Sequence, residues 1–358
     1  MVNLREHFIK KIKFHGPISI SQYMADSILA PKIGYYSKQN SIGKQGDFIT
    51  GPEISQMYGE LIGVFLTECW RINNDGAPVN LVDLGGGNGT MMKDSLRTIK
   101  KIEPNFYKKI NTFFIETSPL LQRKQKASVP TSIFLDNLDK LPPGNTFFTA
   151  NEFLDCLPVH QFIKVGNKWH ERLIDINKHD DFIFVLSNEP SKYDFFLAKN
   201  YEEGEITEIS FNLIQTVNNI AKIINKYGSL ALIIDYAYQD KEPYGTLQAI
   251  KNHKKIDPLE DPENSDISCK VNFELVSNIA KEAGSEVNGP ISQNKFFQNL
   301  GIHIRSEQLI NNNPSKKNQI TSEKNRLISK EGMGNLFKVM TINKNNFKLP
   351  PIFGDQHG

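Results

Sequence analysis

The 358-residue sequence holds only three cysteines, Cys69, Cys156 and Cys269. They are widely spaced and form no CxxC pair, so a zinc knuckle is not expected, and no other metal site is read from the chain. An odd cysteine count without a secretory signal fits a reducing compartment. No apolar run reaches the ~18 residues needed to cross a bilayer. The opening stretch, MVNLREHFIKKIKFHG, has no long apolar run and is not rich in Arg and Ser, so it resembles neither a signal peptide nor a typical mitochondrial presequence. The expectation is a soluble protein with no membrane insertion, cytoplasmic in a bacterium and in the mitochondrial matrix in a eukaryote. An excess of charge of one sign is missing too. Forty-two Lys and Arg stand against 40 Asp and Glu, for a net charge of +2. That balance, with no aromatic–basic stripe, argues against nucleic acid as a partner.

What is present is a sizeable apolar fraction, 39% of residues, distributed in two different periods. Residues 1–30 read as helical on either side of a Gly16-Pro17 break. Pro52 and Glu53 can open a helix that runs to about Trp70. Then short buried strands alternate with helices. Strands are expected at 80–85, 112–117, 132–136, 145–153, 229–236 and 336–342, with GSEVNGPI as a further strand. Helices are expected at 90–100, 118–126, 208–226, 272–283 and through most of 293–330. Such alternation implies an α/β protein with a doubly wound, Rossmann-like sheet, whose last strand can run antiparallel. Residues 159–187 alternate in three runs and read as an antiparallel β insertion. The charged stretch 251–266 reads as a solvated loop. The chain then divides into a helical N-terminal region (1–75), the first half of the core (76–157), the insertion (158–205), the second half of the core with helical additions (206–345) and a tail (346–358).

The most informative segment is Leu81–Thr90, LVDLGGGNGT. A buried strand runs into glycines and then into a helix, and ligands of open α/β sheets bind beyond the carboxyl ends of the strands. The dinucleotide fingerprint G-x-G-x-x-G, counted from Gly85, needs a glycine at 90, where Thr90 stands. No G-K-[ST] follows either, so a P-loop is excluded. Asp83, two residues before the first glycine, suits a ligand carrying positive charge. S-adenosylmethionine (SAM) carries an ammonium and a sulfonium and has no phosphate. Glu116, ending the second strand, can accept both ribose hydroxyls, and Asp136, ending the third, could meet the adenine. The expected cofactor site is therefore Asp83, Gly85, Gly86, Gly87, Gly89, Thr90, Glu116, Asp136 and Asn151. The bland reading of Glu116 and Asp136 is that they cap the helices that follow them.

The chain resembles the MidA family of methyltransferases, and the resemblance runs nearly end to end. It rests on GPISISQYM (16–24), GYYS (34–37), GDFITGPEISQMYGELIG (46–63), VDLGGGNGT (82–90), IETSPLLQ (115–122), ANEFLDCLPVHQF (150–162), LIIDY (232–236), GTLQAIKNHKKIDPLEDP (245–262) and MGNLFKVM (333–340). It implies a class I methyltransferase core with an added domain, SAM as cofactor, and a protein-arginine N-methyltransferase acting on a partner protein such as a respiratory complex I subunit. Two positions depart from the family pattern. The family's loop commonly reads G-P-G-[RK]-G, where this chain has Gly86 and Asn88. A D-Y-G sequence often follows the fifth strand, where this chain has Asp235-Tyr236-Ala237.

Arginine as the acceptor would ask for acids. Guanidinium stays charged at neutral pH, and carboxylates can hold it in paired hydrogen bonds. Glu152 and Asp155 follow the fourth strand at its carboxyl end, and Asp47 and Glu53 lie in GDFITGPE, a candidate lid with Gly46 and Gly51 as pivots. The expected catalytic residues are Glu152, Glu53 and Asp155. For Glu53 the competing reading is a favourable charge in the first turn of a helix. Cys156 reads as packed, and His253 sits in a stretch that could line a protein-substrate surface. Two other functions fit the same fold: a small-molecule methyltransferase, and a SAM-binding assembly factor with little turnover. The oligomeric state is open.

Overall fold

The computed structural model describes residues 3–29, 34–35, 49–73, 76–193, 201–238 and 242–353. Gly46 and Asp47 of the candidate lid lie outside them. The chain separates into two compact units.

The larger unit comprises residues 49–154, 216–237 and 271–358. It is built on seven strands: β1 (Val79–Leu84), β2 (Ile110–Ile115), β3 (Ile133–Leu135), β4 (Asn145–Asn151), β5 (Leu230–Tyr236), β6 (Glu286–Ser292) and β7 (Phe337–Asn343). Their order across the sheet is β6-β7-β5-β4-β1-β2-β3. The five strands from β5 to β3 pair in parallel. The last strand, β7, runs antiparallel to both β5 and β6. Every residue of β1 is buried, as expected of a central parallel strand covered on both faces. The strand order reverses between β1 and β4, and ligand crevices of open α/β sheets form at such a switch, beyond the carboxyl ends.

Four helices frame that end of the sheet: α1 (Gly51–Ile54), α2 (Gln56–Asn73), α3 (Thr90–Ile102) and α4 (Pro119–Ser128). The single helix expected from Pro52 to Trp70 is broken at Ser55, whose backbone is extended. The first piece is one turn and the second five. The long helix buries Met57, Tyr58, Leu61, Ile62, Phe65 and Leu66, which recur at the 3–4-residue spacing of one helical face. It joins a core in which Trp70 stacks on Phe106 at 4.9 Å. Its approach to α3 is set by two glycines. A Cβ on Gly59 would lie 2.8 Å from the Met91 carbonyl oxygen, and one on Gly63 would lie 2.7 Å from that of Ser95. At the same crossing the buried Glu60 carboxylate takes the Arg305 guanidinium through Nε at 2.8 Å and Nη2 at 3.0 Å, and Arg97 at 2.9 Å.

The smaller unit comprises residues 1–48, 155–215 and 238–270. Its sheet contains the three strands of the expected insertion, at His160–Val165, Lys168–Ile176 and Phe182–Leu186. Ile18–Ser19 and Ile206–Ile209 join it as well. The helix expected from Glu208 therefore begins at Phe211, after Ser210, whose hydroxyl accepts from Leu213 N at 3.1 Å. Residues 251–266 are not simply a loop. Gln248–Lys251 and Lys254–Ile256 pair as a hairpin, with Asp266–Ser268 on the other side. Asn252 and His253 both have positive φ, 49° and 60°, which is the conformation of a two-residue hairpin turn. Two helices, Leu4–His15 and Ile20–Leu29, flank the Gly16-Pro17 break. Leu4, Phe8, Ile12 and Tyr23 enter the core of this unit. Among the described residues no helix is long and apolar enough to cross a membrane.

The α2–α3 crossing yields a stability prediction. Gly63→Ala places a methyl against backbone that cannot swing aside, and overpacking of this kind costs about 1–3 kcal/mol. The urea unfolding midpoint should fall with the slope of the transition unchanged. An unchanged midpoint would mean that the crossing has slack.

Candidate active site

The loop from Gly85 to Gly89 connects β1 to α3 and lies on a floor of side chains. Gly85, Gly87 and Gly89 take positive φ of 63°, 52° and 78°, a region costly for residues with a Cβ. Gly86 has ordinary φ, yet a Cβ there would sit 2.5 Å from the Phe114 ring and 2.7 Å from Asp83 Oδ2. A proline at this position would have to lift the loop off Phe114, which gives the departure from G-P-G a physical counterpart. A Cβ on Gly85 would meet the Phe153 ring at 2.7 Å. The loop is thus pressed between side chains from β1, β2 and the segment after β4.

Asp83 is fully buried under this loop. Its Oδ1 accepts from Thr149 Oγ1 at 2.8 Å, and Oδ2 has no partner. Burial, with a smaller contribution from the nearby Glu116 carboxylate, pushes its pKa up to about 7 against the opposing hydrogen bond from Thr149. Glu116 follows β2 directly. One oxygen accepts from Ser118 N at 2.8 Å and the other from Gln125 Nε2 at 3.1 Å. Burial raises its pKa as well. Each carboxylate oxygen has capacity beyond one donor, so two ribose hydroxyls remain compatible with it.

Gln125 was not singled out from the sequence. It lies in α4, is fully buried, and its Nε2 also donates to the Gly87 carbonyl at 3.0 Å. One amide therefore ties the glycine loop to Glu116. The available signal was Leu121 and Gln125 at i, i+4 on the inner face of an otherwise polar helix. Tyr58 and Asp235 were missed too. The Tyr58 hydroxyl donates to Asn151 Oδ1. Asp235 Oδ2 accepts from the backbone N–H groups of Phe153 and Leu154, at 3.1 and 2.8 Å, and so shapes the turn after β4.

Glu152 sits in that turn with φ 51°, uncommon for a residue with a Cβ and a form of strain that clusters at functional sites. Its Oε1 accepts from Gly51 N at 2.8 Å. Asn151 Nδ2 approaches the same oxygen at 3.3 Å. Glu53, two residues beyond Gly51, accepts at Oε1 from Thr90 Oγ1 at 2.5 Å and from Asn88 Nδ2 at 3.3 Å. The structure thus brings Asp83, the glycines, Thr90, Glu116, Asn151, Glu152 and Glu53 to one end of one sheet. Asp136 is exposed and is paired with Lys140 at 2.7 Å, which holds its pKa low. Asp155 belongs to the smaller unit, where its carbonyl accepts from Cys269 N at 2.9 Å. In the same unit Cys156 is half-buried. Among the described residues no group of His, Cys, Asp and Glu could hold a metal.

The sequence profile of the family described as "Putative S-adenosyl-L-methionine-dependent methyltransferase" matches residues 61–291. The chain is 31% identical to "Protein arginine methyltransferase NDUFAF7, mitochondrial" of Xenopus laevis, over 98% of this chain and 88% of that protein. The identity is 30% to the human protein of the same name, over 94% of this chain and 82% of that one. A crystal structure from Burkholderia thailandensis, with S-adenosyl-homocysteine (SAH) bound, shares the fold at a TM-score of 0.84. It is 23% identical and the match covers 98% of this chain and 94% of that one. The chain belongs to this family of SAM-dependent methyltransferases, and SAM is its cofactor.

The buried Asp83 predicts a pH dependence. Its folded-state pKa is raised from 3.8 to about 7. Any stability linked to this group is therefore full below pH 3.8 and is lost as pH rises through 7. Asp83→Asn keeps an acceptor for Thr149 and cannot ionise. Relative to the unsubstituted protein, this variant should gain about 2–3 kcal/mol between pH 5 and pH 8 without ligand. Equal pH profiles in chemical denaturation would show that Asp83 ionises normally.

Proposed function

We propose that this chain transfers a methyl group from SAM to an arginine side chain of a partner protein, with Glu152 as the acid that holds the guanidinium. The observation that carries this reading is the Glu152 turn. A strained glutamate stands at the carboxyl end of β4 with one carboxylate oxygen pinned by the Gly51 N–H. Its neighbour Phe153 packs on Gly85 of the loop. The names of the relatives, which specify arginine, support the same acceptor.

The residues fit the cofactor on their own chemistry. Three left-handed glycines offer backbone to a ligand, and a buried unpartnered Asp83 oxygen favours positive charge nearby. When bound, the cofactor supplies an electrophilic methyl group on a cationic sulfur. Asp83 and the glycines would face its amino-acid portion, with Thr90 at the start of α3. Glu116 would accept from the ribose hydroxyls, held at the correct height by Gln125. Asn151 would border the same pocket from β4. Asp136, at the mouth, would reach an adenine only by giving up Lys140.

On the acceptor side, a guanidinium must be oriented with one nitrogen toward the methyl group and must lose a proton as the new bond forms. The Glu152 carboxylate would do the first by paired hydrogen bonds and would accept the proton that the attacking nitrogen releases. A partner subunit of respiratory complex I is the acceptor implied by the family resemblance, and a reducing compartment, mitochondrial or bacterial, suits the three free cysteines.

Two measurements test this. Incubation of a lysate from the source cell with labelled SAM and the purified protein should label one or a few proteins at arginine. Label on lysine alone, or on small molecules alone, would overturn the acceptor assignment. Glu152→Gln keeps an acceptor for Gly51 N and loses the charge. It should lower kcat by at least about 100-fold, the scale of losing one positioned acid, with SAH affinity nearly unchanged. Full activity in this variant would remove Glu152 from the mechanism.

A further inference from the structure

Glu53 reads from the sequence as a second acid for the guanidinium, and its geometry assigns it another task. The turn α1 is held at both ends by contacts to the two halves of the site. At its start, Gly51 N–H donates to Glu152 Oε1 at 2.8 Å. At its third residue, Glu53 Oε1 accepts from Thr90 Oγ1 at 2.5 Å and from Asn88 Nδ2 at 3.3 Å. The turn itself is stiff. Both Glu53 N and Ile54 N donate to the Thr50 carbonyl, at 3.0 and 3.2 Å. Gly51 is packed so closely that a Cβ there would run into the Tyr58 ring. Tyr58 in turn donates to Asn151 Oδ1. Within a few residues, the segment from Thr50 to Tyr58 touches the cofactor loop, the end of β4 and the acid on the acceptor side.

We propose that Glu53 is a positioning residue that latches the glycine loop, through Thr90 and Asn88, to the turn whose other end orients Glu152. This rests on the reading of Glu152 as the acceptor-side acid. In this arrangement Glu53 works as a hydrogen-bond acceptor, and its negative charge serves no guanidinium. A displacement of the cofactor loop then moves the turn as a unit and carries the Gly51 N–H away from Glu152. Cofactor affinity and methyl transfer therefore depend on the same carboxylate.

Charge and acceptor capacity can be separated by substitution. Glu53→Gln retains an oxygen that accepts from Thr90, and Glu53→Ala does not. Thr90→Val removes the donor from the opposite side. Glu53 is only half-buried and borders an open cleft of about 490 Å³ lined also by Lys93, Asp94, Arg97 and Lys316. Truncating it therefore opens no sealed cavity, and thermal melts should show all three variants folded.

Calorimetry with SAH reads the loop without needing an acceptor. Glu53→Ala and Thr90→Val should each weaken SAH binding by about tenfold, the usual scale for a hydrogen bond to a charged group. The double variant should be no weaker than either single one. Glu53→Gln should bind SAH within about threefold of the unsubstituted protein. With an identified acceptor, Glu53→Ala at saturating SAM should also lose kcat, and Glu53→Gln should recover most of it. The latch is overturned if Glu53→Gln is as damaging to kcat as Glu53→Ala while SAH affinity stays unchanged in both, the pattern of a charge that clamps the acceptor. Additive losses in the double variant would also overturn it. If no protein acceptor is labelled, the calorimetric arm still decides the Thr90 end of the latch, and the acceptor reading fails separately.

Discussion

Five residues between β1 and α3 cross the end of the sheet with no clearance beneath them. The loop rests on Phe114 and Asp83 at Gly86, carries Phe153 against Gly85, and abuts Gln125 at Gly89. This close packing sets the position of everything else at that end. It demands glycine for steric reasons at Gly86 and for conformational ones at Gly85, Gly87 and Gly89. It places the Gly87 carbonyl where one amide can join it to Glu116. It also fixes the start of α3, and hence Thr90, within reach of Glu53.

The electrostatics of the site follow from the same burial. Asp83 and Glu116 are both desolvated, and each is raised in pKa for that reason. Among the described residues neither pairs with a Lys or Arg, in contrast to Glu60, which is nearly as buried and takes two guanidinium groups. Buried carboxylates are costly without a partner. A binding crevice that leaves two of them without a cation is suited to a ligand that brings one. Glu60 is neutralised by the guanidinium groups of Arg97 and Arg305, whereas Asp83 is buried with one oxygen unpartnered.

Much of this was legible in the sequence because the signals were local. The run Leu81–Thr90 spells a strand, a turn and a helix start in consecutive residues, and Glu116 stands directly after an apolar strand. Other features lacked a local signature. Gln125 is one polar residue among several in a polar helix, marked only by its i, i+4 spacing from Leu121, and its contacts with Gly87 and Glu116 appear only in the folded chain. Asp235 ends a buried strand, and its role depends on β5 lying next to β4. Glu208 continued a helical pattern and became strand because the chain at 160–163 offers it a partner edge. The 251–266 stretch is charged and still forms a hairpin, since Asn252 and His253 can adopt positive φ and Asp266–Ser268 supplies a third strand.

The sequence by itself determined the alternation of strands and helices, the phosphate-free character of the glycine loop and the nature of the methyl donor, because these depend on residue order within ten or twenty positions. Tertiary structure decided what the acids contact. Glu53, Asp136 and Glu152 are equally plausible carboxylates in one dimension. In three, Asp136 is spent on Lys140 at the surface, Glu53 reaches the loop through Thr90, and Glu152 is held in a strained turn by Gly51. The Asp136–Lys140 pair spans four residues, but the contacts of Glu53 and Glu152 join residues 37 and 101 positions apart, and no pattern along the chain encodes those.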